Sequence, residues 1–288
     1  MNNKQLAEIL KKHVYILSSQ IGDRNVFSYE NLKKAVSYIS EEFKHTGYKL
    51  DYQKYFCSGK EVKNIIAVKE GKTQGVIIVG AHYDSCFNPG ADDNASSVAV
   101  MIELAKRFYP KELRHKFKFV AFVNEEPPFF KTEEMGSRVY VKQAKRNKEK
   151  IKAAIILEMV GYYTDTPHSQ SFPPFLSLFY PHQGNFICIV GNRKSKKLAK
   201  RVHHSFKKTS FSAEIFVGPS IVVGVDFSDH WSFWKEGFSA IMLTDTAFYR
   251  NPYYHTEEDT YEKLNYEKMS KFLLALEKVL VDLDKQQI

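Results

Sequence analysis

Apolar residues recur every three to four positions over residues 6–17 and again over 29–45, so the chain opens with two amphipathic helices. Ser28 is a candidate N-cap for the second, and Gly47 its stop. The period then drops to two. Residues 49–56 alternate like a strand, 64–68 read as another, and Gly71 to Gly75 reads as a hairpin turn, predicting an antiparallel pair. From there short apolar runs alternate with helical stripes: strands over 76–79, 116–123, 153–157, 185–190, 213–217 and 240–243, and helices over 135–150, 194–208 and 265–283. A further stripe of Val98, Met101, Ile102, Leu104, Ala105 and Phe108 completes a β-α-β unit. The pattern predicts an α/β fold: a single globular domain with a mixed, mostly parallel central β-sheet flanked by helices. No repeat, low-complexity tract or linker divides it, so residues 1–288 form one domain, with the helices of 1–47 packed on it. The Pro-, Ser- and aromatic-rich stretch 164–184 is too long for a simple connection and reads as functional.

Three of the apolar runs share an ending. Val76-Ile77-Ile78-Val79 leads into Gly80-Ala81-His82-Tyr83-Asp84, then Pro89-Gly90-Ala91-Asp92-Asp93-Asn94. The run 117–123 leads into Asn124-Glu125-Glu126, and 153–157 into Glu158. In a parallel sheet these acidic ends converge on one edge, where open α/β folds place their sites. Carboxylates brought that close repel one another and call for a cation.

Composition narrows the reading. An apolar fraction of 43% supports a full core. The net charge of +9, from 42 Lys+Arg against 33 Asp+Glu, raises the question of anionic partners. The basic clusters at 142–152 and 193–208 fall on amphipathic helices, so they read as solvated faces, and no nucleic-acid partner is expected. Cys57, Cys86 and Cys188 are isolated, which argues against a disulfide framework or a thiolate zinc site. No signal peptide or membrane-length apolar run is seen, so a cytoplasmic protein without a membrane partner is expected.

Two His and several carboxylates, without Cys, form a nitrogen and oxygen donor set suited to zinc in a hydrolytic site. His82, Asp92, Glu126, Glu158 and His255 are enough ligands for two ions, with Asp92, central in its polar loop, as the bridging candidate. Adjacent Glu125 and Glu126 point to opposite sides if strand alternation continues. One then binds metal while the other serves as general base.

Gly80-Ala81-His82-Tyr83-Asp84, Gly90-Ala91-Asp92-Asp93-Asn94-Ala95-Ser96, Asn124-Glu125-Glu126, Leu157-Glu158-Met159 and Tyr254-His255-Thr256 resemble, in order, five signature segments of the M28 zinc aminopeptidases. The resemblance spans about positions 64 to 283 and implies a mixed β-sheet flanked by helices. It implies two Zn2+ ions per chain, replaceable by Co2+ or Mn2+: one on His82, Asp92 and Glu158, the other on Asp92, Glu126 and His255. Glu125 becomes the base, Asp84 the acid orienting His82, and Tyr254 a phenol against the oxyanion. The implied reaction removes N-terminal residues from peptides with a free N-terminus. Ser97 stands where Gly is common, Glu158 where Asp is frequent, and Pro127-Pro128-Phe129-Phe130 lengthens the segment before Gly136-Ser137. The alternatives are a glutaminyl cyclase-like zinc acyltransferase and a non-catalytic binding module of peptidase fold. Asp229-His230, near a site loop, resembles a buried polar pair of this superfamily, which includes the glutaminyl cyclases, and implies a supporting role. Phe129, Phe130, Phe172, Phe175 and Phe179 read as the wall of a specificity pocket, and His168, His182, His203 and His204 as surface residues.

Overall fold

The computed structural model describes residues 2–173 and 176–286. Its strands are β1 (Leu50–Cys57), β2 (Lys60–Lys69), β3 (Val76–His82), β4 (Lys116–Phe122), β5 (Ile151–Glu158), β6 (Ile187–Gly191), β7 (Ala213–Val217) and β8 (Ala240–Thr244). They join in one sheet in the order β1-β2-β4-β3-β5-β8-β6-β7. Strands β4, β3, β5 and β8 run parallel, β1–β2 and β2–β4 pair antiparallel, and β6 runs against β8 with β7 parallel to it. The sheet is therefore mixed around a parallel centre, as the sequence pattern predicts.

The helices are α1 (Asn3–Tyr15), α2 (Tyr29–His45), α3 (Ser97–Phe108), α4 (Gly136–Arg146), α5 (Lys196–Phe206), α6 (His230–Lys235) and α7 (Tyr266–Lys285). Their apolar stripes bury Ile39 and Phe43 of α2, Leu104 and Phe108 of α3 and Phe272, Leu276 and Leu280 of α7 against strand residues such as Ile77, Val79, Phe117 and Phe119. On the other face α4 and α6 cover Ile78, Val120, Phe122 and Ile156 with Tyr140, Val141 and Phe233. The central strands are buried on both faces, which is why they read as continuous apolar runs. Helices α1 and α2 pack on α7 and α3. No helix among the described residues is long and apolar enough to cross a membrane.

Two expectations change. The hairpin closes earlier, at Ser58 and Gly59, both with positive φ, and joins β1 to β2. Residues 71–75 are no hairpin turn: β4 lies between β2 and β3, so this segment steps over the end of β4, with Thr73 N donating to Arg114 O. At α2 the boundary is as expected, but Ser28 Oγ donates to Asp23 and does not cap the helix.

Candidate metal centre

The parallel centre delivers its side chains where expected. His82 closes β3, Glu158 closes β5, and Asn124 after β4 takes φ +59, ending the strand alternation, so that Glu125 and Glu126 do not part to opposite sides as expected: a carboxylate oxygen of each lies within 4.8 Å of the other and of a His82 ring nitrogen. His82 Nδ1 lies 3.2 Å from the Asp84 carbonyl and 3.6 Å from Asp84 Oδ1. That side of the ring is occupied, so Nε2 faces the cluster, 3.2 Å from Asp93 Oδ1, 3.4 Å from Glu158 Oε1 and 3.9 Å from Glu125 Oε2. Asp84 also accepts from the backbone N–H groups of Glu125 and Glu126, tying the end of β4 to that of β3. Glu158 is fixed through its other oxygen, which accepts from Ser228 Oγ at 2.6 Å. Its longer arm therefore still reaches the cluster.

Across the cluster, His255 Nε2 sits 3.2 Å from Asp93 Oδ2 and 3.3 Å from Glu126 Oε2, without the alignment of a hydrogen bond. Asp93 thus spans His82 and His255, one oxygen to each. Here the sequence expectation is corrected. Asp92 does not enter the cluster: its Oδ1 accepts from Gly161 N and its Oδ2 from Asn251 Nδ2. In this turn the two neighbours face different ways. Asp259 settles which one faces the cluster by accepting from both backbone N–H groups, while Gly90, at φ +58, gives the tight entry. A Cβ on Gly90 would lie 2.4 Å from the Asp93 carbonyl oxygen.

Among the described residues, donor atoms group within 4.8 Å of one another as His82–Asp93–Glu158, His82–Glu125–Glu126 and Cys86–Glu126–His255. Asp93 Oδ1 and Glu126 Oε1 are buried without hydrogen-bond partners, the signature of side chains aimed at something other than protein. Burial raises the Glu125 carboxyl well above its ordinary range, with Glu158 and Glu126 adding to it and His82 opposing. Burial, joined by the charge of Asp93, pushes Glu126 up to about 8. Burial works to lower both His82 and His255, but the surrounding carboxylates outweigh it and raise both. On Asp93 burial is again the largest influence, yet the two imidazoles together hold it low. These shifts come from carboxylates crowded at one buried point, a crowding that a bound cation would relieve.

Tyr254 reaches the centre by stacking on the His255 ring, with centroids 3.8 Å apart. Burial, reinforced by Asp93 and Glu126, raises its phenol far above the ordinary value, so it stays a proton donor. Asp229 is buried near the centre with its carboxyl pushed up to about 7, mainly by burial. It does not pair with His230, whose Nε2 lies 2.8 Å from the Val225 carbonyl and whose ring packs edge-on against Trp234.

A cavity of about 360 Å³ opens from the cluster, walled by Phe130, Phe172, Leu176, Phe186, Phe216, Val222 and Phe248, with Met242 and Cys188 among the strand residues lining it. Of the expected wall, Phe130 and Phe172 take part. Phe129 instead stacks on Phe27, Phe179 is 77% exposed, and Phe175 lies outside the described residues. His168, His182 and His204 are exposed and His203 is half-buried, as expected.

The model of peptidase family M28 matches residues 64–280, which carry every strand that feeds this centre. The chain belongs to that family. The M28 chain is 38% identical over 275 residues to the uncharacterized Escherichia coli protein YfbL, covering 92% of this chain and 84% of that one. A probable leucine aminopeptidase of Arthroderma otae is 25% identical over 221 residues, 72% of this chain and 53% of the relative, so the chain spans about half of that protein's length. In fold it is similar to a zinc aminopeptidase of Bacillus subtilis, with TM-score 0.78, 16% identity and 98% and 96% of the two chains covered. A glutaminyl cyclase of Bacteroides thetaiotaomicron is similar too, at TM-score 0.73 and 16% identity, with 98% of both chains covered. At such identities these two likenesses speak for the fold.

Sequence reasoning passed over several groups. Asp93 was hidden by its identical neighbour. Cys86 was set aside for want of a second cysteine nearby. Arg24, a lone basic residue before α2, gave no local signal, yet it is fully buried and donates to the carbonyls of Leu17, Gly22, Tyr83, Pro89 and Gly90.

Proposed function

We propose that this M28 chain is an aminopeptidase that binds two zinc ions and removes apolar N-terminal residues from peptides with a free N-terminus. The observation that carries the reading is Asp93 set between His82 and His255, with Glu125 beside them. His82, Asp93 and Glu158 would hold one ion, and Asp93, Glu126 and His255 the other; Co2+ and Mn2+ suit the same donors. When bound, the pair supplies Lewis acidity for the carbonyl and acidifies water.

The chain supplies the rest. Glu125 takes the proton of the attacking water and returns it to the leaving amine, a task suited to a carboxyl that burial has raised. Tyr254 donates toward the developing oxyanion, and Asp84 keeps the His82 ring turned with Nε2 inward. The apolar cavity takes the N-terminal side chain, and the carboxylates at its mouth take the free amine. Cys57, Cys86 and Cys188 are unbridged, which supports a reducing compartment, the cytoplasm.

The test is a panel of aminoacyl-anilides with added Zn2+, comparing wild type with Glu125→Gln. Release is expected from free but not N-acetylated substrates, favouring bulky apolar residues, and the variant is expected to lose about 10²- to 10⁴-fold in kcat with its zinc content unchanged. Silence across the panel, with one zinc per chain and cyclisation of N-terminal Gln, would replace the reading with a cyclase. Failure to bind any divalent metal would leave a binding module.

A further inference from the structure

Cys86 lies two residues beyond Asp84, on the connection from β3 to α3. It is the apex of a three-residue turn in which Phe87 N donates to Ser85 O and Phe87 takes φ +55. The turn is held rigidly. Ser85 N donates to Arg24 O, Arg24 N donates to Ser85 Oγ, and Ser85 Oγ donates to Asn88 O. Cys86 is thereby carried to the far side of the cluster from His82, where its Sγ, a Glu126 carboxylate oxygen and a His255 ring nitrogen all lie within 4.8 Å of one another. A second observation points to a ligand there. Glu126 is 3% exposed and its Oε1 has no hydrogen-bond partner, while His255 Nε2 meets two carboxylates without hydrogen-bond alignment.

We infer that the Cys86 thiolate is a ligand of the ion held by Asp93, Glu126 and His255. The inference rests on the dinuclear reading above but adds a sulfur donor to it, making a set of one sulfur, one nitrogen and two carboxylates. On binding, the thiol proton leaves to solvent and a metal–sulfur bond forms. Such a set prefers zinc, whose bonds to thiolate are about 2.3 Å long, over the harder Mn2+. The two halves of the centre therefore differ in kind: the His82 side offers only nitrogen and oxygen, and the His255 side is thiophilic. Cys57 and Cys188 have no such surroundings among the described residues.

The experiment loads the metal-free protein with Co2+ and records its electronic spectrum. Wild type should show visible ligand-field bands together with a near-ultraviolet thiolate-to-cobalt charge-transfer band. Cys86→Ser should lose the charge-transfer band and keep the ligand-field bands and the cobalt content, and Cys57→Ser should keep all three. As a second readout, iodoacetamide should label Cys86 in the metal-free protein and not in the zinc-loaded one. Ligand-field bands without charge transfer in wild type, with Cys86 labelled equally in both states, would overturn the thiolate ligand while leaving the dinuclear reading standing. No cobalt bands at all would overturn both.

Discussion

Replacing Arg24 by Met removes a charge that no solvent reaches. Its guanidinium donates at 2.6 to 3.0 Å to five carbonyls, those of Leu17 and Gly22 before α2, Tyr83 at the end of β3, and Pro89 and Gly90 just ahead of Asp93. Methionine fills the space and satisfies none of them. Leu17 and Gly90 keep a backbone donor, in Gly22 N and Ala95 N, so three carbonyls are orphaned; at about 1.5 to 2.5 kcal/mol for each buried carbonyl left unsatisfied, they amount to roughly 5 to 7 kcal/mol. Against this stands the cost of holding the charge in the interior, where burial draws the guanidinium down to about 10 although Asp259 and Asp84 oppose it. From 12.5 that is about 3 kcal/mol, which methionine does not incur. The balance is a destabilisation of about 2 to 4 kcal/mol, to be read from urea unfolding of the metal-free protein at neutral pH. Because Pro89-Gly90 and Ser85 border Asp93 and Asp84, zinc affinity measured by chelator competition should also fall, by about tenfold. Arg24→Lys, which keeps the charge but has one nitrogen in place of three, should lie between. A loss below about 1 kcal/mol with unchanged zinc affinity would refute the argument, since the three orphaned carbonyls would then have found other partners at no cost.

Two further outcomes follow from the centre itself. Asp93→Asn should lower zinc content and cut activity by at least about a hundredfold, whereas Asp92→Asn should retain both ions in metal analysis; the reverse result would return Asp92 to the bridging place. The metal-free protein should lose stability as pH rises from about 5 to 8. Glu126 at about 8, Asp229 at about 7 and Asp259 at about 7, all lifted chiefly by burial, keep protons in the native state that the unfolded chain has already released. His82 and His255, raised by their carboxylate neighbours, act in the same direction, and Asp93, held low, matters only below about pH 4. The native state therefore binds more protons than the unfolded one in this window, and stability falls with pH at up to about 1.4 kcal/mol per pH unit for each such proton. Thermal unfolding in chelator should show that fall, and zinc, displacing the protons, should flatten it. Rising stability over the same range would sink the account.

Much of this was legible in the chain because it is local. The apolar runs ending at His82, before Glu125 and at Glu158 bury both faces of β3, β4 and β5, and a run that ends in acids marks the sheet edge where it emerges. The 29–45 periodicity likewise fixes α2 to the residue, since one face of that helix is core. Strand order is another matter. That β4 lies between β2 and β3 depends on pairings between distant segments, and nothing in residues 71–75 distinguishes a hairpin turn from a step over a neighbouring strand. The choice between Asp92 and Asp93 was hidden for a related reason: it is made by Asp259 and Asn251, more than 150 positions away. Cys86 was hidden because its partners in the cluster, Glu126 and His255, come from other loops.

Strand β6 runs against β8, with Cys188 opposite Thr244, so it starts at the edge where β5 ends. The connection from Glu158 to β6 therefore leaves and returns on one side of the sheet, and Gln170, Phe172 and Leu176 within it roof the cavity. A change of length in its outer part, beyond the residues bonded to the Asp92 loop, can reshape the cavity while leaving the strands in place. Proteins built on this scaffold can thus come to differ in the room beside the cluster by loop length alone, with the donor set inherited intact.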